Sequence, residues 1–509
     1  MTWSSEANRS SIIERWGERL KTWSFRGWLH ESQWRNGAVS APGWGMNMPR
    51  MVALWLFLGF VLFLFIYDRK TTKSGSFARW LIVAYLAMIS SRAVSLWFNL
   101  GIAVTSPDDY LEGSPVDRNI YTVFLVLALL ALLSRRLNWQ EIFQNNRWIF
   151  VFFLFAAISV LWSDYPFVSF KRWVKSVGMV IMVLLLLTED DPVQTLRWVF
   201  RKAAFLLIPL SVLLIKYYPE FGRMYTESGG QQFTGVTMNK NGLGAACFIY
   251  GVYFVWDLLA VRRGDVTEGR RAALIDIVML LIIAYLLHKA NSATSLVCFI
   301  VGSALLVFME MPSIRANISR FGVYMVALLI FFGALDLVFG LGQAVVSGLG
   351  RDMTFTGRVA IWSELLEMAE NSVVGTGYES FWLGERAQRM WDLYSWRPNQ
   401  AHNGYIEMYL SLGLVGLMLL LAVMLTSYKN ILLKIMSDHS VGSLRMALFL
   451  TVLLYNFTEA SFKLGQVWFI FFLSCLDVQA QPIKHPQIQT RLTRRVPTRR
   501  PMGAATGRG

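Results

Sequence analysis

Apolar residues in this chain gather into blocks of roughly 15 to 25, among them 51–67, 203–217 and 404–427. Wound as α-helix, a block of that length crosses about 30 Å of hydrocarbon. Soluble domains spread their apolar residues as stripes or alternation and are about a quarter charged. Here 55% of residues are hydrophobic and 16% charged, so the sequence predicts a polytopic integral membrane protein. Every span must be helical, because lipid cannot satisfy open backbone groups and the alternation of a barrel is absent.

The apolar runs place spans near 51–67, 80–100, 120–133, 148–162, 174–187, 203–217, 242–259, 273–287, 293–309, 323–340, 404–427, 445–458 and 466–476. Some neighbours are short enough to share a crossing, which gives 12 or 13 transmembrane helices without an internal repeat. The chain divides into five regions. Residues 1–48 form a polar N-terminal segment, in which Ile12, Ile13, Trp16, Leu20 and Trp23 fall at the spacing of an amphipathic interfacial helix. That segment has no apolar run, so no cleavable signal peptide is expected. The helix bundle occupies 49–340, a long loop 341–402, the C-terminal transmembrane helices 403–478 and a basic disordered tail 479–509.

The net charge of +15 owes much to that tail, where Lys484, Arg491, Arg494, Arg495, Arg499, Arg500 and Arg508 face no acid. A tail of this kind beside a bilayer is expected to touch anionic headgroups. No recognition module accompanies it, so nucleic acid is not an expected partner. Cys247, Cys298 and Cys475 all fall in apolar spans and read as buried hydrophobes, not as disulfides or metal ligands.

Orientation is set by the cations. Arg69, Lys70, Lys73 and Arg79; Arg135, Arg136 and Arg147; Arg197, Arg201 and Lys202; Arg262, Arg263, Arg270 and Arg271; Arg315 and Arg320; and Lys429, Lys434 and Arg445 all fall in alternate loops. Those loops are assigned to the cytoplasm, which puts 341–402 outside. Thirteen spans then place the basic N-terminal segment outside as well. Either 51–67 is not a full crossing, or two short runs share one.

Outward loops should be poor in positive charge, so their cations are candidate ligand contacts: Lys171, Arg172 and Lys175 after Trp162-Ser-Asp-Tyr-Pro166; Lys216, Arg223 and Lys240; and Arg351 and Arg358. Each alone reads equally as a solvated or snorkelling residue. Together they suit an anionic group at headgroup level, and arginine offers phosphate a bidentate fork. Of five histidines only His288 and His402 face outward. His288 reads as a helix-terminal residue, and His402, where the long loop re-enters the membrane, as a candidate general base. Residues 358–371 carry apolar positions at helical spacing, with Arg358 at the anion-friendly first turn. Asn403 and Glu407 share a face if a helix starts near His402. Trp382, Trp391 and Trp396 suit either sugar stacking or interfacial anchoring. Paired carboxylates are not evident, Asp108, Asp109 and Glu112 reading as a solvated loop.

Gly350-Arg-Asp-Met-Thr-Phe-Thr-Gly-Arg358, Ile361-Trp362, Gly375-Thr-Gly-Tyr378, His402-Asn-Gly-Tyr-Ile-Glu407 and Gly413-Leu-Val-Gly416 resemble the O-antigen ligase family of ligases, O-antigen polymerases and exopolysaccharide polymerases. The resemblance runs over about 78–476 and is specific in 350–416. Trp162–Pro166 with Lys171 and Arg172, and Gly235-Val-Thr-Met-Asn-Lys-Asn-Gly242 with Asn241, are similar to weaker family signatures. The resemblance implies a metal-independent membrane glycosyltransferase without cofactor in the bacterial inner membrane. It would move saccharide from an undecaprenyl-diphosphate carrier, on the periplasmic face, to an acceptor glycan or glycolipid, alongside polysaccharide assembly machinery. His402 matches the family's essential loop histidine and Arg358 an arginine for the donor diphosphate; Lys171, Arg172 and Lys216 match more loosely. The Arg-Asp-x-Thr-x-Thr-Gly-Arg form is closer to exopolysaccharide polymerases than to ligases acting on lipid A-core. A transporter of lipid-linked saccharide is the rival from another class. It predicts paired broken helices in related halves and ionisable groups at mid-membrane, for which Arg92 and Asp336 are the candidates. A non-catalytic assembly partner is the third reading.

Overall fold

The structure, a computed structural model, describes residues 48–69, 76–98, 114–225, 229–265, 269–324 and 358–478. The chain divides into two compact units, Met1–Pro49 and Arg50–Gly509, and all the described helices belong to the second. The expected interfacial helix and His30, the acids 108, 109 and 112, Asp336, Arg351 and the basic tail lie outside the described residues.

The helices run in the order α1 (Arg50–Arg69), α2 (Phe77–Ile89), α3 (Pro115–Leu133), α4 (Trp139–Asn145), α5 (Arg147–Ile158), α6 (Pro166–Leu187) and α7 (Pro192–Tyr217). A short hairpin, β1 (Arg223–Tyr225) and β2 (Gln231–Phe233), pairs Arg223 with Phe233. Then come α8 (Lys240–Arg263), α9 (Gly269–Ala290), α10 (Ala293–Met309), α11 (Arg358–Glu367), α12 (Gly384–Leu393), α13 (Gly404–Ser437), α14 (His439–Tyr455) and α15 (Gln466–Cys475). Among the described residues α1, α3, α7, α8, α9 and α13 are long and apolar enough to cross a membrane. Residues 139–162 make a broken span bent by 85°, and α2, α10, α14 and α15 are shorter apolar helices. The protein is an all-α multi-pass membrane protein.

Local chemistry sets the helix starts. Proline opens α3, α6 and α7, where its missing N–H costs nothing. Polar side chains cap the orphan N–H groups: Asp191 accepts from Gln194 N at 3.0 Å, Asn239 from Gly242 N at 2.8 Å and Asp438 from Val441 N at 3.2 Å. Three expected spans are reshaped. The 80–100 run breaks at Ser90–Ala93, where the Arg92 N–H donates to Val236 O at 2.9 Å and its guanidinium to the Phe221 carbonyl. Arg92 is thus a latch on the 221–237 loop, not a residue inside a continuous helix. The 148–162 run belongs to the bent pair, and the 404–427 run continues to Ser437 through a kink at Gly413.

The bundle has two chemically different ends. At one, Glu189 pairs with Arg79 and Arg135, Arg263 with Glu310, and Arg445 donates to the Ser474 and Leu476 carbonyls. At the other lie the N-termini of α6, α8 and α13 with the loop 456–465. Ion pairs at both ends of α1 show how the first span sits. Arg50 pairs with Glu220 at 3.1 Å, while Asp68 meets Arg201 at 3.0 Å and Lys202 at 2.7 Å. Thus α1 runs the full bundle length, and its start shares the end that carries the 456–465 loop.

Four helices are tied by a buried ionic cluster. Arg201 on α7 contacts Asp68 of α1, Asp257 of α8 at 2.6 Å and Asp276 of α9 at 3.1 Å, and Arg197 adds a second contact to Asp257. Arg201, Asp68, Asp257 and Asp276 are all buried. Such a cluster stabilises little against an apolar replacement, but removing one partner strands the others, at a cost of about 3–5 kcal/mol. Arg201→Met should therefore sharply lower the melting temperature and folded yield in detergent. Arg50→Met, which breaks the exposed pair to Glu220 and the contact with the Tyr218 ring, should cost about 1 kcal/mol or less. Equal melting temperatures for the two variants would contradict this account.

Candidate active site

Two clefts open at the end of the bundle that carries the 456–465 loop. One is lined by Ser90, Ser91, Asn239, Asn241, Gln400, Tyr455, Glu459 and Lys463, the other by Arg172, Lys175, Glu379, Trp382, Trp391, Asn399, Glu407 and Lys463. Lys463 and Leu464 wall both, and the strand of chain through Asn399 and Gln400 separates them. Their cavity volumes are about 210 and 280 Å³, room for a sugar residue or a small polar group and not for a whole drug-sized ligand.

Glu459 is the hub of the first cleft. Its Oε1 accepts from Asn241 Nδ2 at 2.7 Å and from Arg358 Nη2 at 3.0 Å, while Oε2 lies 3.5 Å from His402 Nδ1. Arg358 also donates to the Thr458 carbonyl. Three distant stretches of sequence, at the start of α8, the start of α11 and the turn before α13, thereby meet on one buried carboxylate. His402 has φ +51°, the left-handed region that L-residues seldom occupy, and Gln400 Nε2 lies 3.5 Å from the same ring nitrogen. With Nδ1 turned toward the carboxylate, Nε2 is the nitrogen left to take a proton from a substrate. The Trp396 ring, 47% exposed, stands 6.0 Å from the imidazole.

Backbone geometry holds this arrangement. The kink at Gly413, φ +65°, opens the helix so that Leu414 N and Val415 N bond to the Ser372 and Val373 carbonyls at 2.8 and 3.0 Å. Thr376 N and Gly377 N return bonds to Leu410 O and Ser411 O. A Cβ at Gly413 would lie 2.3 Å from Val373 O, so only glycine fits. Residues 372–377 are thus strapped to α13, and Tyr378 is pinned by Ser159 and Ser176, each through its hydroxyl oxygen. Beneath them Ile361, Leu365, Trp382, Met390 and Leu410 form a small core that seats α11 and α12.

In the second cleft Glu379 Oε1 and Trp382 Nε1 are buried without a hydrogen-bond partner among the described residues, an acceptor and a donor that a polar ligand could satisfy. Burial pushes the Glu379 carboxyl above the usual range against the pull of Arg172 and Lys463, and Glu407 pushes it the same way as burial. Glu379 and Glu407 both line this cleft.

Residues 277–421 match the family model described as O-antigen ligase. The chain is also 27% identical over 315 residues to the exopolysaccharide production protein ExoQ of Rhizobium meliloti (strain 1021), across 58% of this chain and 67% of that relative. The O-antigen ligase segment contains Arg358, His402, Asn403 and Glu407, whereas Asn241 and Glu459 approach from outside it.

The remaining candidates separate by place. Arg172 donates to the Glu379 carbonyl and lines the second cleft with Glu407, whose Oε2 accepts from Ala401 N at 2.9 Å. Asn403 caps α13, its Oδ1 accepting from Tyr405 N and Ile406 N and its Nδ2 donating to Phe457 O. Lys171 lies 4.8 Å from the Phe167 ring in a third cleft. Lys216 and Arg223 line neither site cleft. They stand over Tyr285 and Phe233, near Lys289 and the α9 end that carries His288. A search of outward loops for cations alone misses Glu459 and Glu379, and Lys463 is such a cation that the candidates above do not include. An acid and a lysine in the polar break Asn456–Gly465, between two apolar runs, are the signal the sequence offers.

Glu379 supplies a test of the cleft's electrostatics. The folded protein holds its proton to higher pH than the unfolded chain, so stability falls as pH rises from the ordinary carboxylate value through the folded one. Glu379→Gln should melt at the wild-type temperature near about pH 4 and above it near about pH 8. A variant that melts below wild type at the higher pH would contradict the assignment.

Proposed function

We propose that this protein is a membrane glycosyltransferase of surface-polysaccharide biosynthesis. It takes saccharide from an undecaprenyl-diphosphate carrier and passes it to an acceptor hydroxyl, extending an exopolysaccharide or O-antigen repeat. The observation that carries the reading is the convergence of Arg358 and His402 on Glu459, which lines one of two clefts that share Lys463 and Leu464. Transfer between two saccharides needs two such seats and a base between them. The exopolysaccharide production for which the ExoQ relative is named favours polymerisation. The O-antigen ligase description of the matching family model favours ligation to lipid A-core as the second reading. The bundle end rich in arginine suits the cytoplasm, which would turn the clefts to the periplasm of the inner membrane.

In this mechanism the acceptor oxygen attacks the anomeric carbon as His402 Nε2 takes its proton. The bond from that carbon to the diphosphate oxygen breaks, undecaprenyl diphosphate leaves, and the centre is inverted. Glu459 fixes the ring's tautomer and orientation and stabilises the imidazolium as it forms. Arg358, with Arg172, Lys175 and Lys463 nearby, meets the charge that grows on the leaving diphosphate. The exposed Trp396 face beside His402 suits a sugar ring, and Glu379 with Trp382 would bond saccharide hydroxyls. These fixed cations supply the charge stabilisation for which other transferases recruit a divalent ion, so turnover should persist in EDTA.

Kinetics on reconstituted protein test the roles separately. His402→Gln and Glu459→Gln, each folded by melting curve, should lower kcat by about 10²-fold or more. Arg358→Ala should raise the donor KM as well as lower kcat. Wild-type turnover by folded His402→Gln would remove the base assignment, and abolition of turnover by EDTA would remove the cation argument.

A further inference from the structure

Lys216 and Arg223, which line neither site cleft, belong to a separate cluster on the flank of the bundle where α7 packs on α9. Lys216 and Lys289 share the Tyr285 ring, at 5.6 and 5.8 Å. Lys289 and Arg223 share the Phe233 ring, at 5.3 and 5.6 Å. Two aromatic rings thus gather three cations in one place. The ion pairs of the described residues include none of the three. Arg223 is steadied through Nε, which donates to the Ile215 carbonyl at 2.8 Å. Ring contact eases the mutual repulsion of such a cluster without neutralising it, which calls for an anion.

The surface beside the cluster shows what carries that anion. Ile277, Leu281, Tyr285 and Lys289 stand four apart on α9 and form one ridge. Ile277 is 47% exposed and Leu281 67%, Tyr285 is half-buried, and Lys289 lies in the last turn. Since α9 is long and apolar enough to cross a membrane, the exposed part of the ridge meets hydrocarbon. The order along it, from apolar through aromatic to cationic, matches a lipid from acyl chain through interface to headgroup. A soluble anion would need no such ridge. We propose that this flank seats an anionic phospholipid of the bilayer. Its phosphate lies among Lys216, Lys289 and Arg223, and an acyl chain runs along Leu281 and Ile277. A lipid carrier that has to deliver saccharide to a cleft is the poorer match, because none of these residues lines either one. The seat also steadies the hairpin that begins at Arg223. From β2 the chain runs past Val236, held by Arg92, to Asn239 at the cap of α8 and Asn241 on Glu459. The inference stands apart from the transfer reading, and either can fail alone.

The test uses full-length protein in detergent micelles with a phosphatidylglycerol that carries a photoreactive acyl chain. Labelled peptides would be located by mass spectrometry. The expected result is labelling of α9 that phosphatidylglycerol displaces at concentrations about tenfold or more below those of phosphatidylcholine. The double variant Lys216→Gln with Lys289→Gln, folded by melting curve, should label α9 about tenfold more weakly, and Lys289→Gln alone about fivefold. Lys429→Gln with Lys434→Gln removes the same charge from α13 at the other end of the bundle and should leave the α9 labelling unchanged. Equal displacement by phosphatidylcholine would overturn the proposal, as would undiminished labelling in folded Lys289→Gln. Displacement by undecaprenyl diphosphate at lower concentrations than phosphatidylglycerol would make this a carrier seat and overturn it too.

Discussion

The carboxylate of Glu459 is held on one oxygen by Asn241 and Arg358 and faces His402 with the other. A buried carboxylate is costly unless it is paired and hydrogen-bonded, so this one has to collect partners from wherever the fold can supply them. It collects a helix start from α8, the first residue of α11 and the turn before α13. The long loop is thereby fixed to the helical scaffold at the place where an arginine and an imidazole face a common space.

The second constraint is the clasp between residues 372–377 and the kinked helix α13. A straight helix would have kept the Leu414 and Val415 N–H groups for itself. The left-handed Gly413 releases them to the loop, and the loop returns two bonds to Leu410 and Ser411. This exchange places Glu379 and Trp382 in a cleft with Arg172, Glu407 and Lys463, where the Glu379 Oε1 and Trp382 Nε1 atoms have no hydrogen-bond partner among the described residues. Far from that cleft, the Arg201 cluster ties α1, α7, α8 and α9 together, so the end that carries the clefts rests on a bundle whose other end is locked by charge.

The sequence made the helical class plain, because blocks of apolar residues leave lipid-spanning helix as their only solution. It also made Arg358, His402 and the helix start near Asn403 readable, since each stands in a polar stretch with few alternatives. Helix breaks were harder. Ser90-Ser91-Arg92 sits within an apolar run, and only the tertiary bonds from Arg92 to the 221–237 loop show that the run stops there. Glu459 was invisible for a different reason. An acid at the end of a span has an ordinary reading as a solvated cap, and its meaning comes from residues 57, 101 and 218 positions away. Lys216 and Arg223 illustrate the converse, being cations on the right face that pack over Tyr285 and Phe233, away from the imidazole.

The most direct test of glycosyl transfer uses purified wild-type protein in liposomes with undecaprenyl-diphosphate-linked repeat unit as the only sugar source. The account predicts a ladder of lengthening lipid-linked glycan on a gel, with free undecaprenyl diphosphate released in step. Transfer only after lipid A-core is added would keep the chemistry and change the acceptor. No transfer to any acceptor, together with movement of the lipid-linked saccharide between leaflets, would contradict it.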